Sequence, residues 1–167
     1  MQRGNYREAH QHCLNILKLD SSHADAWFLC GVIAGKNGQT AKAVEIFRNA
    51  IKLAPEQAEY RAELGKQLLA LRQPEQALVM TRQALSLAPS DVPTLNTLGT
   101  IFSHLGEHEK ALTCFDGAAS ALKAKPGRAA GLTDEWQANL YFNMAASLQF
   151  AGDFDAAEQA YEQAIEL

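Results

Sequence analysis

Small and apolar residues recur along this chain at a fixed interval of 34 positions. Glycine shows the interval most clearly, at Gly31, Gly65 and Gly99. Two alanine positions and one proline position keep the same step: Ala9, Ala43, Ala77 and Ala111; Ala50, Ala84 and Ala118; and Pro55 and Pro89. A fixed period in this range is typical of proteins built from stacked structural repeats.

Each unit contains two amphipathic helical patterns, and residues 24–57 form the most regular example. In the first half, Trp27, Cys30 and Ala34 lie three and four positions apart, which places them on one helix face. Gly38 interrupts this pattern, because glycine tolerates the left-handed conformation that ends many helices. The second half has its own apolar face, formed by Ala43, Phe47, Ala50 and Ile51, and ends before Pro55. The pair predicts an antiparallel helical hairpin, which must bury its apolar face against neighbouring hairpins.

These residues resemble the tetratricopeptide repeat, a helix-turn-helix unit with W-x2-C-G near its start, then A-x3-F-x2-A and a closing proline. The matching positions here begin at Trp27, and the spacing recurs through almost the whole chain. The resemblance implies an all-α fold, an α-α superhelix (solenoid) of about 4.5 stacked antiparallel repeats. It also implies that the first helix of each repeat lines a concave groove.

The repeat boundaries predict a single array. We expect a half repeat at 1–23, full repeats at 24–57, 58–91 and 92–125, an insertion at 124–134 and a last repeat at 133–167. The interval from Gly106 to Gly152 is 46 residues, so 12 residues are inserted relative to the period of 34. Asp91 and Thr133 are predicted helix N-caps, since short polar side chains accept hydrogen bonds from the first free amides.

The two ends of the array depart from this plan. Gly4-Asn5-Tyr6 aligns with the turn at Gly38, so residues 6–19 are predicted to be a second helix without its first. After Thr133 the first helix of the last repeat is expected to be longer than the others and to reach Phe150. The terminal helices would lack cover on their apolar faces, so we expect the chain to be part of a longer protein.

Repeat three has less bulk than repeat two. Arg61 stands where repeat two has Trp27, and Thr81 stands where it has Phe47. These exchanges predict a hairpin that is less filled inside.

Composition restricts the classes of function. The 167 residues carry a formal net charge of -4, which argues against a nucleic-acid partner, and no apolar run is long enough to span a membrane. Cys13, Cys30 and Cys114 are odd in number and fall on inward helix faces. This arrangement favours reduced core cysteines in a cytoplasmic protein over a disulfide or redox role.

No catalytic set emerges from the sequence. His104 and His108 complete an H-x-x-E-H pattern, which in metalloproteases places two histidines beside zinc. Gly106 between them aligns with the turn at Gly38, so the two histidines are predicted to lie on different helices. We therefore expect no metal site, no cofactor and no enzymatic activity of the chain itself.

A protein or peptide is the expected partner, held in the concave groove. The resemblance places ten candidate contacts on the outward face of the first helices: Phe28, Lys36, Glu63, Lys66, Asn96, Thr100, His104, Asn139, Phe142 and Asn143. The three asparagines suit a peptide backbone because an amide side chain both donates and accepts hydrogen bonds. They are equally compatible with ordinary solvated helix positions.

Some members of the tetratricopeptide family bind the carboxylate of a peptide with lysines, an arginine and asparagines. The corresponding positions here are Phe28, Val32, Glu63, Pro93 and Thr97, so that basic clamp is absent. Trp136, beside the insertion, is a possible second surface; its alternative is simple packing against the preceding hairpin.

Three functions follow from these features. The first is an interaction scaffold that binds a protein segment. The second is the helical arm of a larger enzyme, because residues 141–167 resemble repeats that precede sulfotransferase-like domains, and similar arrays precede glycosyltransferase domains. The third is a self-associating module, a homodimer formed through the uncovered ends of the array.

Overall fold

In the computed structural model, residues 3–124 and 133–167 are described, and there the chain is entirely helical with turns. The helices are α1 Arg3–Leu19, α2 Ala24–Lys36, α3 Thr40–Leu53, α4 Ala58–Ala70, α5 Pro74–Ser86, α6 Val92–His104, α7 His108–Ala124, α8 Asp134–Ala151 and α9 Phe154–Ile165. None of the helices in these ranges is long and apolar enough to cross a membrane. The predicted all-α fold of antiparallel helical hairpins is confirmed.

The chain divides into two compact units, residues 1–88 and 89–167. The first unit contains α1 and the hairpins α2–α3 and α4–α5. The second contains the hairpins α6–α7 and α8–α9. Within each unit a helix packs mainly against the helices next to it in the sequence, with additional contacts between α2 and α4 and between α6 and α8. This pattern is that of a stacked repeat.

The turns inside the hairpins use the left-handed backbone conformation. Gly38, Gly106 and Gly152 have φ angles of +74°, +76° and +87°, which glycine adopts without steric cost. The hairpin α4–α5 places Arg72 at the position equivalent to Gly38, with a φ of +57°. A side chain there costs on the order of 1 kcal/mol, so this turn departs from the repeat plan at a local cost in stability.

Both predicted N-caps are present. Asp91 Oδ1 accepts a hydrogen bond of 2.8 Å from the amide of Thr94, at the start of α6. Thr133 Oγ1 accepts one of 3.3 Å from the amide of Trp136, at the start of α8. Helix α8 has 18 residues where α2, α4 and α6 have 13, so the predicted longer first helix of the last repeat is also confirmed.

The core of the first unit is built around Phe47, whose side chain is fully buried. Its ring lies over Gly31, so close that a Cβ atom at Gly31 would stand 2.7 Å from the ring edge. The crossing of α2 and α3 therefore depends on the absence of a side chain at Gly31. Ala43, Ala50 and Ala77 are also fully buried, in agreement with the repeated small positions of the sequence.

The second unit repeats this arrangement with Phe115 over Gly99. A Cβ atom at Gly99 would stand 2.5 Å from the ring of Phe115, which is fully buried. Ala145, Leu148, Ala157 and Ala160 form the contact between α8 and α9, and residues around them close the hairpin. At the crossings of α2 with α3 and of α6 with α7, a glycine thus lies under an aromatic ring, whereas alanines form most of the contact between α8 and α9.

One predicted boundary is wrong. Helix α1 already begins at Arg3, whereas the alignment with Gly38 placed a turn at residues 4–6. Since a glycine within a helix is tolerated at a cost of ~1 kcal/mol, Gly4 did not have to end the pattern. Residues 125–132, most of the predicted insertion at 124–134, lie outside the described residues.

The three cysteines are free and buried, as the sequence predicted for core positions. Burial raises the pKa of the Cys114 thiol to about 11. The pKa of Cys30 is also raised to about 11, by burial first and then by the neighbouring Cys13. Both groups therefore remain neutral thiols near pH 7, a form with little nucleophilic character.

Candidate functional site

In the second unit, polar side chains form a row where α6 and α8 face each other. We call this row the α6/α8 face; it consists of Asn96, Thr100, Ser103, Asn143 and Ser147. The three residues of α6 lie three and four positions apart, and so do the two of α8, which places each set on one side of its helix. The two sides meet because α6 and α8 are in contact.

Hydrogen bonds join the two helices across this face. Ser147 Oγ lies 2.9 Å from Ser103 Oγ, and Asn143 Nδ2 donates to Thr100 Oγ1 over 3.5 Å. The second distance is at the outer limit for a hydrogen bond, so the amide of Asn143 is only weakly held. Thr100 in turn donates to the carbonyl of Asn96 over 2.8 Å.

Asn96 stands at one end of the α6/α8 face with an unsatisfied acceptor. Its Oδ1 is buried and has no hydrogen-bond partner among the described residues. A buried acceptor without a partner costs ~1–3 kcal/mol, and the terminal torsion of an asparagine side chain is soft. The amide of Asn96 can therefore turn toward an incoming N–H donor at a net gain in free energy.

The remaining candidates of the second unit do not join this row. Asn139 is exposed, and its Nδ2 donates to the carbonyl of Glu135 on its own helix over 2.8 Å. Phe142 is 55% exposed and meets the ring of Tyr161 edge-on, with 5.5 Å between ring centroids. It belongs to the hairpin α8–α9 rather than to the contact with α6. Trp136, the possible second surface, is half-buried at the start of α8.

The two histidines of the H-x-x-E-H pattern lie on separate helices, as predicted from Gly106. His104 is in the last turn of α6, where its Nδ1 lies 2.7 Å from the carbonyl oxygen of Thr100. His108 begins α7, and its ring stacks on Phe150 with 5.1 Å between centroids. Within the described ranges, no group of three or more His, Cys, Asp or Glu side chains is arranged to hold a metal ion.

In the first unit the structure corrects the placement of Phe28. The sequence assigned it to the open groove, but it is only 8% exposed. Its ring stacks on Tyr60 of the next repeat with 4.6 Å between centroids and contacts Phe47 of its own repeat at 5.7 Å. Phe28 is therefore a core residue that joins two repeats, because the next hairpin covers the helix face on which it lies.

Tyr60 is a structural residue that the groove prediction did not include. Its hydroxyl donates a hydrogen bond to Asp25 and so ties α4 to α2. Burial, and next the contact with Asp25, raise the pKa of Tyr60 above its ordinary value, so the phenol stays a neutral donor. Asp25 and Tyr60 are 35 residues apart, one more than the repeat period, so they lie near the starts of successive first helices. This spacing was the feature of the sequence from which their contact could have been predicted.

Of the three charged candidates of the first unit, the two lysines lie on the surface and Glu63 is half-buried. Lys36 is exposed at the end of α2, and Lys66 is exposed on α4. Lys66 forms an ion pair of 3.2 Å with Glu63, one turn earlier on the same helix. An exposed pair of this kind stabilises the fold by ~0.5 kcal/mol at most, so both side chains can exchange partners readily.

Comparisons with known proteins agree with the geometry of the hairpins. A family profile described as tetratricopeptide repeat matches residues 1–58 and 31–91, and a second profile with the same description matches residues 91–167. Together these matches cover the chain. The chain belongs to the tetratricopeptide repeat family. Stacked repeats of this kind form extended surfaces that bind other proteins.

Among curated proteins, this tetratricopeptide chain is similar to protein O-mannosyl-transferase TMTC1 of Homo sapiens. The two are 27% identical over 137 residues, which is 82% of this chain and 15% of the relative. The chain thus spans a small part of that relative's length.

Two solved structures share the fold. The crystal structure of MamA superposes with a TM-score of 0.68 at 20% identity, covering 98% of this chain and 89% of that one. The crystal structure of YrrB, described as a tetratricopeptide repeat protein with an unusual peptide-binding site, has a TM-score of 0.65 at 22% identity, covering 98% of this chain and 78% of that one. At these identities the likeness establishes the fold alone.

Proposed function

We propose that this chain is a protein-interaction scaffold that binds an extended peptide segment along its first helices, with the α6/α8 face as the main contact. The observation that carries the proposal is the unsatisfied Oδ1 of Asn96 beside the weakly held amide of Asn143. A peptide backbone presents one N–H and one C=O for each residue. Asn96 can accept a hydrogen bond from the peptide N–H, and the amide of Asn143 can donate one to the peptide C=O.

Helix α8 also presents apolar surface outside the α6/α8 face. Phe142 and Phe150 on this helix are 55% and 75% exposed. A partner that extends along α8 beyond Asn143 can therefore add contacts to aromatic rings, which are frequent at binding hot spots. The peptide-binding site named for YrrB supports this proposal, since YrrB shares the fold.

A pair of asparagine substitutions tests the scaffold. Peptides selected from a random phage-displayed library on the wild-type chain should bind the Asn96→Ala/Asn143→Ala variant at least about tenfold more weakly, as expected when two hydrogen bonds to the ligand are lost. Fluorescence anisotropy with labelled peptides measures the affinities. Circular dichroism should show unchanged helicity, because neither side chain fills the core.

Asn139→Ala is the matched control, because Asn139 is exposed and its Nδ2 donates to the carbonyl of Glu135 on its own helix. Its affinity for the selected peptides should equal that of the wild type. If the double variant retains full affinity, or if Asn139→Ala weakens binding equally, the α6/α8 face is not the peptide site.

A second candidate is the helical arm of a larger enzyme. The likeness to protein O-mannosyl-transferase TMTC1, of which this chain covers 15%, supports it. In such an arm the repeats would recruit a substrate or partner for a glycosyltransferase elsewhere in the protein. An immunoblot of the source cells with an antibody against this chain separates the two cases: a band near 18.2 kDa supports the free scaffold, and a much heavier band supports the arm.

A further inference from the structure

The first unit contains an open apolar pocket whose lining includes none of the groove candidates on α2 and α4. It lies between the second helices α3 and α5, with α4 as its floor, and has a volume of about 490 Å³. That size is within the ~300–1,000 Å³ typical of ligand sites. We call it the α3/α5 pocket. Five apolar side chains line its interior: Ile51, Leu64, Leu68, Val79 and Met80.

The pocket has a specific origin in the repeat. Trp27 and Arg61 occupy the same repeat position, and each donates a hydrogen bond to the carbonyl six residues earlier, Ser21 in one case and Pro55 in the other. The two side chains therefore leave their helices in the same direction and end at equivalent points. The guanidinium of Arg61 reproduces the polar contact of the indole, but it supplies no apolar ring.

What repeat three lacks is thus one aromatic side chain. The indole of Trp27 packs against the core of its repeat, whereas the surface beside Arg61 remains open. Of the lining residues, Val79 is 49% exposed, whereas Leu64 and Leu68 on α4 are each only 2% exposed. A tryptophan buries ~150–250 Å² when it enters such a site.

The rim of the pocket is cationic although the chain is acidic. Arg48, Lys52 and Arg61 border the opening, against one lining carboxylate, Glu75. The formal net charge of the chain is -4, so this concentration of positive charge is local. Arginine also binds the face of an aromatic ring, a contact of ~0.5–2 kcal/mol.

We propose that the α3/α5 pocket binds a partner protein through one tryptophan side chain flanked by acidic residues. The inserted indole restores the aromatic ring that the repeat lacks at position 61. The acidic neighbours pair with Arg48 and Lys52 at the rim. This site is separate from the α6/α8 face, so either one can fail without the other.

A short peptide tests the pocket directly. The labelled pentapeptide Glu-Glu-Trp-Glu-Glu should bind the wild-type chain saturably in fluorescence anisotropy. Replacing its tryptophan by alanine should weaken binding at least about tenfold, as for a central hot-spot residue. Replacing its glutamates by lysines should abolish binding, and added salt should weaken the interaction of the acidic peptide, because the rim charges are exposed.

Two variants of the chain locate the binding. Arg61→Trp should fill the pocket from within, raise the thermal midpoint and abolish peptide binding. Lys52→Glu should weaken binding about three- to tenfold. Its matched control is Lys18→Glu, since Lys18 occupies the same repeat position, in the last turn of α1, away from the pocket.

The outcomes are distinct. Binding that survives both Arg61→Trp and Lys52→Glu overturns the proposal, and so does the absence of saturable binding to the wild type. Loss of peptide binding in the Asn96→Ala/Asn143→Ala variant would assign the peptide to the α6/α8 face and overturn the pocket. A wild-type dimer in sedimentation that Arg61→Trp dissociates would make a second copy of this chain the occupant in place of a different protein.

Discussion

Replacing Phe115 by alanine should lower the free energy of unfolding by ~3–5 kcal/mol, which is the typical effect of removing a fully buried phenylalanine. The ring of Phe115 has no exposed surface and lies against Gly99, where no other side chain can move in to fill the cavity. Urea denaturation followed by circular dichroism measures the change. Because whole-domain stabilities are only ~5–15 kcal/mol, the loss should be a large fraction of the total and should clearly lower the urea concentration at the midpoint of unfolding.

Phe154→Ala is the control for that experiment, since Phe154 is 66% exposed on α9. Its free energy of unfolding should stay within about 0.5 kcal/mol of that of the wild type. A loss of similar size in both variants would mean that Phe115 does not hold the crossing of α6 and α7.

Adding one methyl group should have opposite effects at two glycines of the second unit. Gly99→Ala should destabilise by ~1–3 kcal/mol, because the new Cβ would lie 2.5 Å from a ring that cannot move. Gly117→Ala should stabilise by up to ~1 kcal/mol through helix propensity, since its new Cβ would meet the flexible end of Leu95 at an ordinary 3.4 Å. The same urea measurement gives both values.

A second substitution shows whether the ring causes the effect at Gly99. In a Phe115→Leu background, the cost of Gly99→Ala should shrink, because leucine leaves room for the methyl group. An unchanged cost would assign the strain to the backbone of α6. If both Gly99→Ala and Gly117→Ala stabilise, helix propensity decides at both sites and the ring of Phe115 does not restrict position 99.

The sequence predicted the hairpins because the small residues at the helix crossings recur at the same position in each repeat. Gly31 and Phe47 belong to one repeat, as do Gly99 and Phe115, so each of these contacts lies within a single hairpin. The N-caps at Asp91 and Thr133 were equally local, because a cap needs only its own helix start. These features depend on residues that are close in sequence, so they can be predicted without knowing how the repeats pack on one another.

The candidate site was harder to predict, because it depends on contacts between repeats. The helix pattern placed Phe28 on the groove side of α2, but its ring packs between Phe47 of its own repeat and Tyr60 of the next. Asn139 and Asn143 lie one turn apart on α8, and only Asn143 reaches α6. A pattern within one helix shows which residues point outward, but it does not show which of them the neighbouring repeat covers.

Repeat three illustrates the same limit at the α3/α5 pocket. The exchange of Trp27 for Arg61 predicted a less filled hairpin interior. The structure places the open volume where α3 of the preceding repeat meets the hairpin α4–α5, whose two helices supply most of the lining residues. The guanidinium of Arg61 donates to a backbone carbonyl, as the indole of Trp27 does one repeat earlier. The side chain therefore leaves the helix in the same direction but fills less apolar volume.

Within each unit a helix contacts mainly the next helix along the chain, so a repeat array can lengthen by duplication of a gene segment. A gene segment that encodes 34 residues carries one hairpin together with both of the surfaces it presents to its neighbours. Duplicated in frame, such a segment adds a hairpin whose neighbours already match it. A substitution at a single position of one copied unit can then change the surface of that unit while the other copies preserve the fold.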